Sequence, residues 1–279
     1  MMLALLLVLL FPALSHASAN WPNEPNGATQ LLDCNFSSTP GACGILDVYS
    51  SSIQATDGTA PISASGVVKS AIYAGNSSGG MQLNWLTNGQ TLYTELFVGL
   101  MWRTNPEFEG RTVGNKMFFI RGPGSNGVFL FGGSALVAGS APMIFAHNSG
   151  TLDNSHACAL DLGLVCYPNV GSGSLTRGTW TKLEAYIKKS TTCTSRDGIV
   201  RWWINGVPAG AYTNLNYGCQ GLNEWVWSET WDGTVNPVPT VEWAHFIDHL
   251  HVSTGPASQP IDTPAGAPAT PTGFVHAGP

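Results

Sequence analysis

Residues 177–212 read RGTWTKLEAYIKKSTTCTSRDGIVRWWINGVPAGAY. Between Trp180 and Lys188, the side chains Leu183, Ala185 and Ile187 fall on one side. Lys182, Glu184, Tyr186 and Lys188 fall on the other. That alternation predicts a strand with one dry face and one polar face. A polar loop with an Asp197-Gly198 turn follows. The next strand, Ile199 to Ile204, sets Val200, Trp202 and Ile204 against Arg201, Trp203 and Asn205. Asn205-Gly206 signals a tight turn, because both central residues of such a turn take positive φ. The stretch is therefore a β-meander. One face belongs to a core; the other, rich in Arg, Lys, Glu, Tyr and Trp, is expected to be the working surface.

Working outward, further short strands are separated by turn-forming residues. Val67–Tyr73 and Met81–Leu86 are candidates. Thr91–Arg103 has the mixed apolarity of a central strand buried on both faces. Lys116–Arg121 places Lys116, Phe118 and Ile120 on one face. Shorter runs follow at Val128–Phe131, Ala135–Val137 and Met143–His147, and Val241–Val252 closes the fold. Residues 148–178 form a long Gly/Ser/Asn-rich connection. There is no internal repeat and no helical pattern, so the expectation is an all-β protein, a sandwich of two antiparallel sheets with jelly-roll order.

A sandwich of this size accommodates the 279 residues in one domain. The formal net charge of −6 argues against nucleic acid as a partner. The N-terminus, MMLALLLVLLFPALSHASA, reads as a signal peptide over 1–19, with Ala17-Ser18-Ala19 as the cleavage site; an uncleaved anchor is the competing reading. The folded domain then covers 20–254, and the Pro/Ala/Thr-rich 255–279 reads as a disordered tail. The protein is expected to be secreted, monomeric and free of the membrane once cleaved. Six cysteines in an exported chain indicate disulfides. Neighbour pairing gives Cys34–Cys43, Cys158–Cys166 and Cys193–Cys219, each stapling a loop. No CxxC pair supports zinc.

The strands TELFVGLMWR, NKMFFIR, GTWTKLEAYIK, DGIVRWWINGV and FIDHLHVS, in that order, resemble the polysaccharide-lyase-like members of the concanavalin-A-like jelly-roll superfamily, in particular the glucuronan-lyase and alginate-lyase group. The resemblance covers about residues 90 to 253 and implies the fold and an acidic polysaccharide as substrate. The RTE-type and QIH-type signatures of one alginate-lyase family are absent, as is the E-x-D-x-x-E motif of jelly-roll glucanases. The resemblance therefore supplies no catalytic residue.

A polyuronate lyase neutralises a carboxylate, removes the proton at C5 and protonates the leaving oxygen. The polar strand faces offer Arg103 and Lys116 for neutralisation and Tyr186 or His147 for proton transfer. A merely solvated sheet face is the plain alternative for each. Glu184, Arg201, Trp203, Trp227 and Trp231 are expected to contact the glycan, the tryptophans by stacking; Trp202 shares parity with Val200 and belongs to the core. Glu184 with Glu95 or Glu229 is the carboxylate pair that a glycoside hydrolase would need. A lectin-like module without catalysis is the other competitor. His245, His249 and His251 share a strand face, but steps of about 7 Å spread them too far for one ion. Asp248 reads as a loop anchor or a calcium ligand, and structural calcium is the one cofactor expectation. No G-x-S-x-G, P-loop or dinucleotide motif occurs.

Overall fold

The computed structural model describes residues 20–49, 52–63, 66–75, 82–108, 115–122, 128–133, 144–149, 165–166, 168–216, 218–228, 239–255 and 260–261. Its strands are β1 (Thr29–Cys34), β2 (Leu46–Asp47), β3 (Ile53–Ala55), β4 (Val67–Ile72), β5 (Gln82–Leu86), β6 (Leu92–Tyr93), β7 (Glu95–Thr104), β8 (Asn115–Arg121), β9 (Val128–Gly133), β10 (Ile144–Ser149), β11 (Val165–Cys166), β12 (Thr181–Lys188), β13 (Gly198–Ile204), β14 (Val207–Leu215), β15 (Glu224–Ser228), β16 (Trp243–Thr254) and β17 (Pro260–Ile261). Among the described residues the helical elements are two short 3₁₀ turns, at Pro40–Cys43 and Asn88–Gln90.

Sheet A has eight strands in the order β14-β13-β12-β7-β16-β4-β3, with β1 also paired to β16. The length of β16 explains this: β4 pairs with its first half and β1 with its second. Sheet B has seven strands, β11-β10-β9-β8-β15-β5-β2. Pairing within both sheets is antiparallel throughout. One buried cluster fills the space between them. Sheet A contributes Leu96, Val98, Leu100, Trp102, Leu183, Ile187, Val200, Trp202 and Val252; sheet B contributes Leu83, Trp85, Phe118, Ile120, Trp225 and Trp227. This is the jelly-roll sandwich expected from the strand pattern.

The meander forms as read. β12 pairs with β13 from Leu183↔Ile204 to Lys188↔Ile199. Asn205 and Gly206, with φ of 53° and 78°, make the two-residue turn into β14. Asp197 organises the loop before β13 rather than a turn: its carboxylate accepts from the main chain and hydroxyl of Thr191 and from Ser195. Cys34–Cys43 and Cys193–Cys219 are bonded as expected. The expected partner of Cys166, Cys158, lies outside the described residues, as do 1–19, Ala135–Val137, Glu229 and Trp231. Within the region read as a tail, Pro260–Ile261 pair with β6.

Candidate functional site

Alternation along sheet A turns Glu95, Phe97, Gly99, Met101 and Arg103 outward, away from the core, beside Lys182, Glu184, Tyr186, Arg201 and Trp203. The parity reading thus holds for Arg103, Glu184, Tyr186, Arg201 and Trp203. Part of this face is roofed, however. Trp21 is 1% exposed and packs with Phe97 and Met101. It lies on Gly99, where a Cβ would come within 2.4 Å of its ring. The His249 and His251 rings flank it, each 5.9 Å away centre to centre.

The polar groups under and around this roof are engaged. The Asn23 main-chain N–H and side-chain amide donate to Glu184 at 3.1 and 2.9 Å. Glu24 Oε1 is 2.8 Å from His251 Nε2, and Asp33 Oδ1 is 2.9 Å from His249 Nε2 and 3.0 Å from His251 Nδ1. Arg103 pairs with Asp57 at 2.5 Å, its guanidinium 5.1 Å from the Trp180 ring centre and 4.3 Å from that of Phe246. Tyr186 donates to Glu95. Burial pushes the Tyr186 phenol well above the ordinary tyrosine range, and Glu95 adds to the shift. Such a phenol stays protonated and makes a poor base. Burial likewise raises Glu184, only partly offset by the Asn23 hydrogen bonds. Burial opposes ionisation of Asp33 too, but hydrogen bonds and charge from His249 and His251 outweigh it and hold that carboxyl low.

The three histidines do not share a face. A register shift between Ile247 and Leu250 reverses the parity of β16. His245 enters the core, where it accepts a hydrogen bond from Trp102 Nε1 at 3.1 Å, and burial lowers its pKa to about 3. His249 and His251 face outward. Asp248 is the loop anchor, accepting from the main-chain N–H groups of Ile62 and Ser63. Among the described residues no three His, Cys, Asp or Glu side chains are grouped to hold a metal.

Lys116 and His147 lie in the other sheet. The expected set of Arg103, Lys116, Tyr186 and His147 is therefore divided between two sheets, and these four do not converge on one substrate. A second irregularity, between Lys116 and Phe118, sets Lys116 opposite Gly132 and Phe118 opposite Phe131. Lys116 accordingly leaves the row of Phe118 and Ile120 that the sequence predicts for it. Trp227 is corrected as well: it is 0% exposed and part of the core, so it offers no ring to a sugar.

The outer face of sheet B carries its own polar set. One cross-strand row runs Asn84–Val226–Phe119–Leu130–His147. The row on one side holds Leu86, Glu224 and Arg121. On the other side Gln82 continues β5, and Lys116, Gly132 and Phe145 are in register. Strands about 4.8 Å apart make the Asn84-to-His147 row about 19 Å long, with β8 at its middle. Gln82 and Asn84 are half-buried, and the Gln82 amide donates to Asn84 Oδ1 at 3.0 Å. Arg121 grips the buried Glu224 through two nitrogens, one of these contacts at 3.0 Å. Gln82, Asn84, Arg121 and Glu224 went unread in the sequence. Their signal was available: in QLNWL the apolar Leu83 and Trp85 alternate with polar neighbours.

No protein-family model and no curated protein sequence matches the chain. Solved structures do. An alginate lyase in complex with an alginate trisaccharide matches with a TM-score of 0.56 at 16% identity, over 80% of this chain and 97% of that one. The endo-β-1,4-glucuronan lyase of Trichoderma reesei matches with a TM-score of 0.51 at 12% identity, over 75% and 90%. A carbohydrate esterase of the Shiga toxin-encoding bacteriophage phi24B matches with a TM-score of 0.52 at 13% identity, over 82% and 100%. At such identities the likeness is one of fold, and the fold hosts more than one chemistry.

Proposed function

We propose that the protein is an exported polysaccharide lyase that cleaves a uronate-containing polymer by β-elimination on the outer face of sheet B. The observation that carries this reading is the row from Asn84 to His147, with Gln82 and Lys116 beside it. It brings the backbone positions of Gln82, Asn84, Lys116 and His147 into neighbouring rows of one sheet, over a span that suits a glycan strand. The Gln82 and Asn84 amides bind the uronate carboxylate and favour the charge that develops on it. Lys116, on the central strand, and His147, two strands away, transfer protons. The C5 proton leaves, the C4–O4 bond breaks, a C4=C5 double bond forms, and the departing oxygen takes a proton. Arg121, held by Glu224, fixes the strand end. The neighbouring lyases support the reaction class, and the leader-like N-terminus and the bonded cysteine pairs support export.

A panel of polyuronates tests this. Cleavage should produce the ultraviolet absorbance of unsaturated uronate ends. Lys116→Ala and His147→Ala should lose it, while Tyr186→Phe keeps it. Absence of that absorbance on every polyuronate would sink the proposal. Reducing ends released without it would point to hydrolysis. Glu184 and Glu95 are poor candidates for that reaction. Glu184 is opposite Gly99, four residues from Glu95 on β7, a separation of about 13 Å against the 5–9.5 Å of glycosidase pairs. Both are also hydrogen-bonded to protein.

A further inference from the structure

The roof formed by Trp21 covers β7, β16 and the Glu184 and Tyr186 positions of β12, and leaves the outer face of β13 with the Lys182 end of β12 more accessible. There Arg201 is exposed and Trp203 and Lys182 are half-buried. Trp203 pairs across the strands with Glu184 and with Pro208. Asn205, the residue after β13, donates its main-chain N–H to the Lys182 carbonyl at 2.8 Å. Arg201 and Asn205 are four residues apart, so Arg201 and Lys182 bracket Trp203 over about 13 Å. Neither cation forms an ion pair with a described residue, and the Lys182 amine lies 5.9 Å from the centre of the Trp21 ring. The carboxylates nearest them are already occupied: Glu184 by Asn23 and Glu95 by Tyr186.

We infer that Lys182, Trp203 and Arg201 form a second, non-catalytic binding surface for an acidic polysaccharide, on the side of the sandwich opposite the sheet B face. The ring supplies an apolar platform for a sugar face, and the cations take carboxylates on either side of it. Charge selects the occupant. The chain is acidic, with a formal net charge of −6, yet on this patch the negative groups are buried and hydrogen-bonded while Arg201 is exposed and Lys182 half-buried. An exposed arginine and a half-buried lysine around a tryptophan favour a polyanion with sugar rings over a neutral glucan. The surface does not depend on the lyase reading and would survive its failure.

The test is affinity electrophoresis of the full chain through gels containing polyguluronate, glucuronan or a neutral cellulose derivative, in a Lys116→Ala background so that the gel is not degraded. Retention by the polyuronates is expected, weakening as salt is added. Arg201→Ala and Trp203→Ala should each weaken it about tenfold. Trp203→Phe, which keeps a ring and guards against misfolding, should retain most of it. In the Lys116-containing protein, turnover of a short uronate oligosaccharide should be unchanged by Arg201→Ala. Equal retention by the neutral polymer overturns the inference, as does unaltered retention in an Arg201→Ala/Trp203→Phe double variant. Retention lost in these variants of a protein with no elimination activity would uphold the surface and remove the lyase reading.

Discussion

Gly99→Ala is the sharpest single perturbation of the sheet A roof. The new Cβ would come within 2.4 Å of Trp21 Cε3 and 2.6 Å of Cδ2, where carbon atoms settle at about 3.5–4.0 Å. β7 is hydrogen-bonded to β12 on one side and β16 on the other, so its backbone has little room to retreat. The ring must lift instead. Overpacking that is partly absorbed costs about 1–3 kcal/mol, and complete loss of a buried tryptophan about 3–5 kcal/mol. Lifting Trp21 also withdraws Asn23 from Glu184 and Glu24 from His251, so the expected cost is near the boundary, about 3 kcal/mol. At roughly 2–4 °C per kcal/mol for a domain of this size, the Tm falls by about 6–12 °C. Thermal and urea unfolding of Gly99→Ala, Trp21→Ala and the double variant measure it. The two changes should be strongly non-additive, with Gly99→Ala nearly silent once the ring is gone. An equal Gly99→Ala penalty with and without Trp21 would show that the ring contact is not the cause.

Three further outcomes are expected. Tyr186→Phe removes the donor to the buried Glu95 and should cost about 1–3 kcal/mol in urea unfolding, with elimination activity unchanged; loss of activity at intact fold would return Tyr186 to the reacting atoms. Glu184→Gln should gain stability relative to the parent as pH rises. Burial raises the Glu184 pKa above its ordinary 4.5, so this group's stabilisation is complete below the unfolded value and is lost as pH climbs through the folded one. A stability difference that stays flat between about pH 4 and pH 8 would contradict the assignment. Replacing Cys34 and Cys43 together by Ser opens a short loop, nine residues in separation, and should cost about 2–3 kcal/mol of unfolding free energy; an unchanged urea midpoint would count against it.

The fold was legible because its signals are local. Alternation in TKLEAYIK and IVRWWI fixed which residues face the core, and Asn205-Gly206 fixed the hairpin register. The core tryptophans divide instructively. The parity of Trp202 with Val200 places it in the core, whereas Trp227 is expected to stack on a glycan. In EWVWS, Trp225 and Trp227 share the parity opposite Glu224, Val226 and Ser228, and that alternation is the signal of their burial. The sheet a strand joins is not encoded so locally. Nothing in NKMFFIR or in the run around His147 announces that the first pairs with β9 and β15 and the second with β9 and β11, rather than with β7, because that choice rests on contacts distant in sequence.

Parity fails where the chain gains or loses a residue in register, and it does so at the two places where the site reading depended on it. On β16 the shift after Ile247 separates the core His245 from the outward His249 and His251. On β8 the shift after Lys116 takes that lysine out of the Phe118 row and aligns it with Gly132 and Phe145, one step along from His147. A one-residue slip moves a side chain to the opposite face of a sheet, so each irregularity changes a residue's environment completely at little structural cost. The consequences differ. On sheet A the shift sends His249 and His251 to meet Asp33, Glu24 and the Trp21 ring, closing that half of the face. On sheet B the shift sets Lys116 in register with Gly132 and Phe145, in the row toward Gln82. Which residues share a row on each sheet is thus decided less by their spacing in the sequence than by where the two register shifts fall.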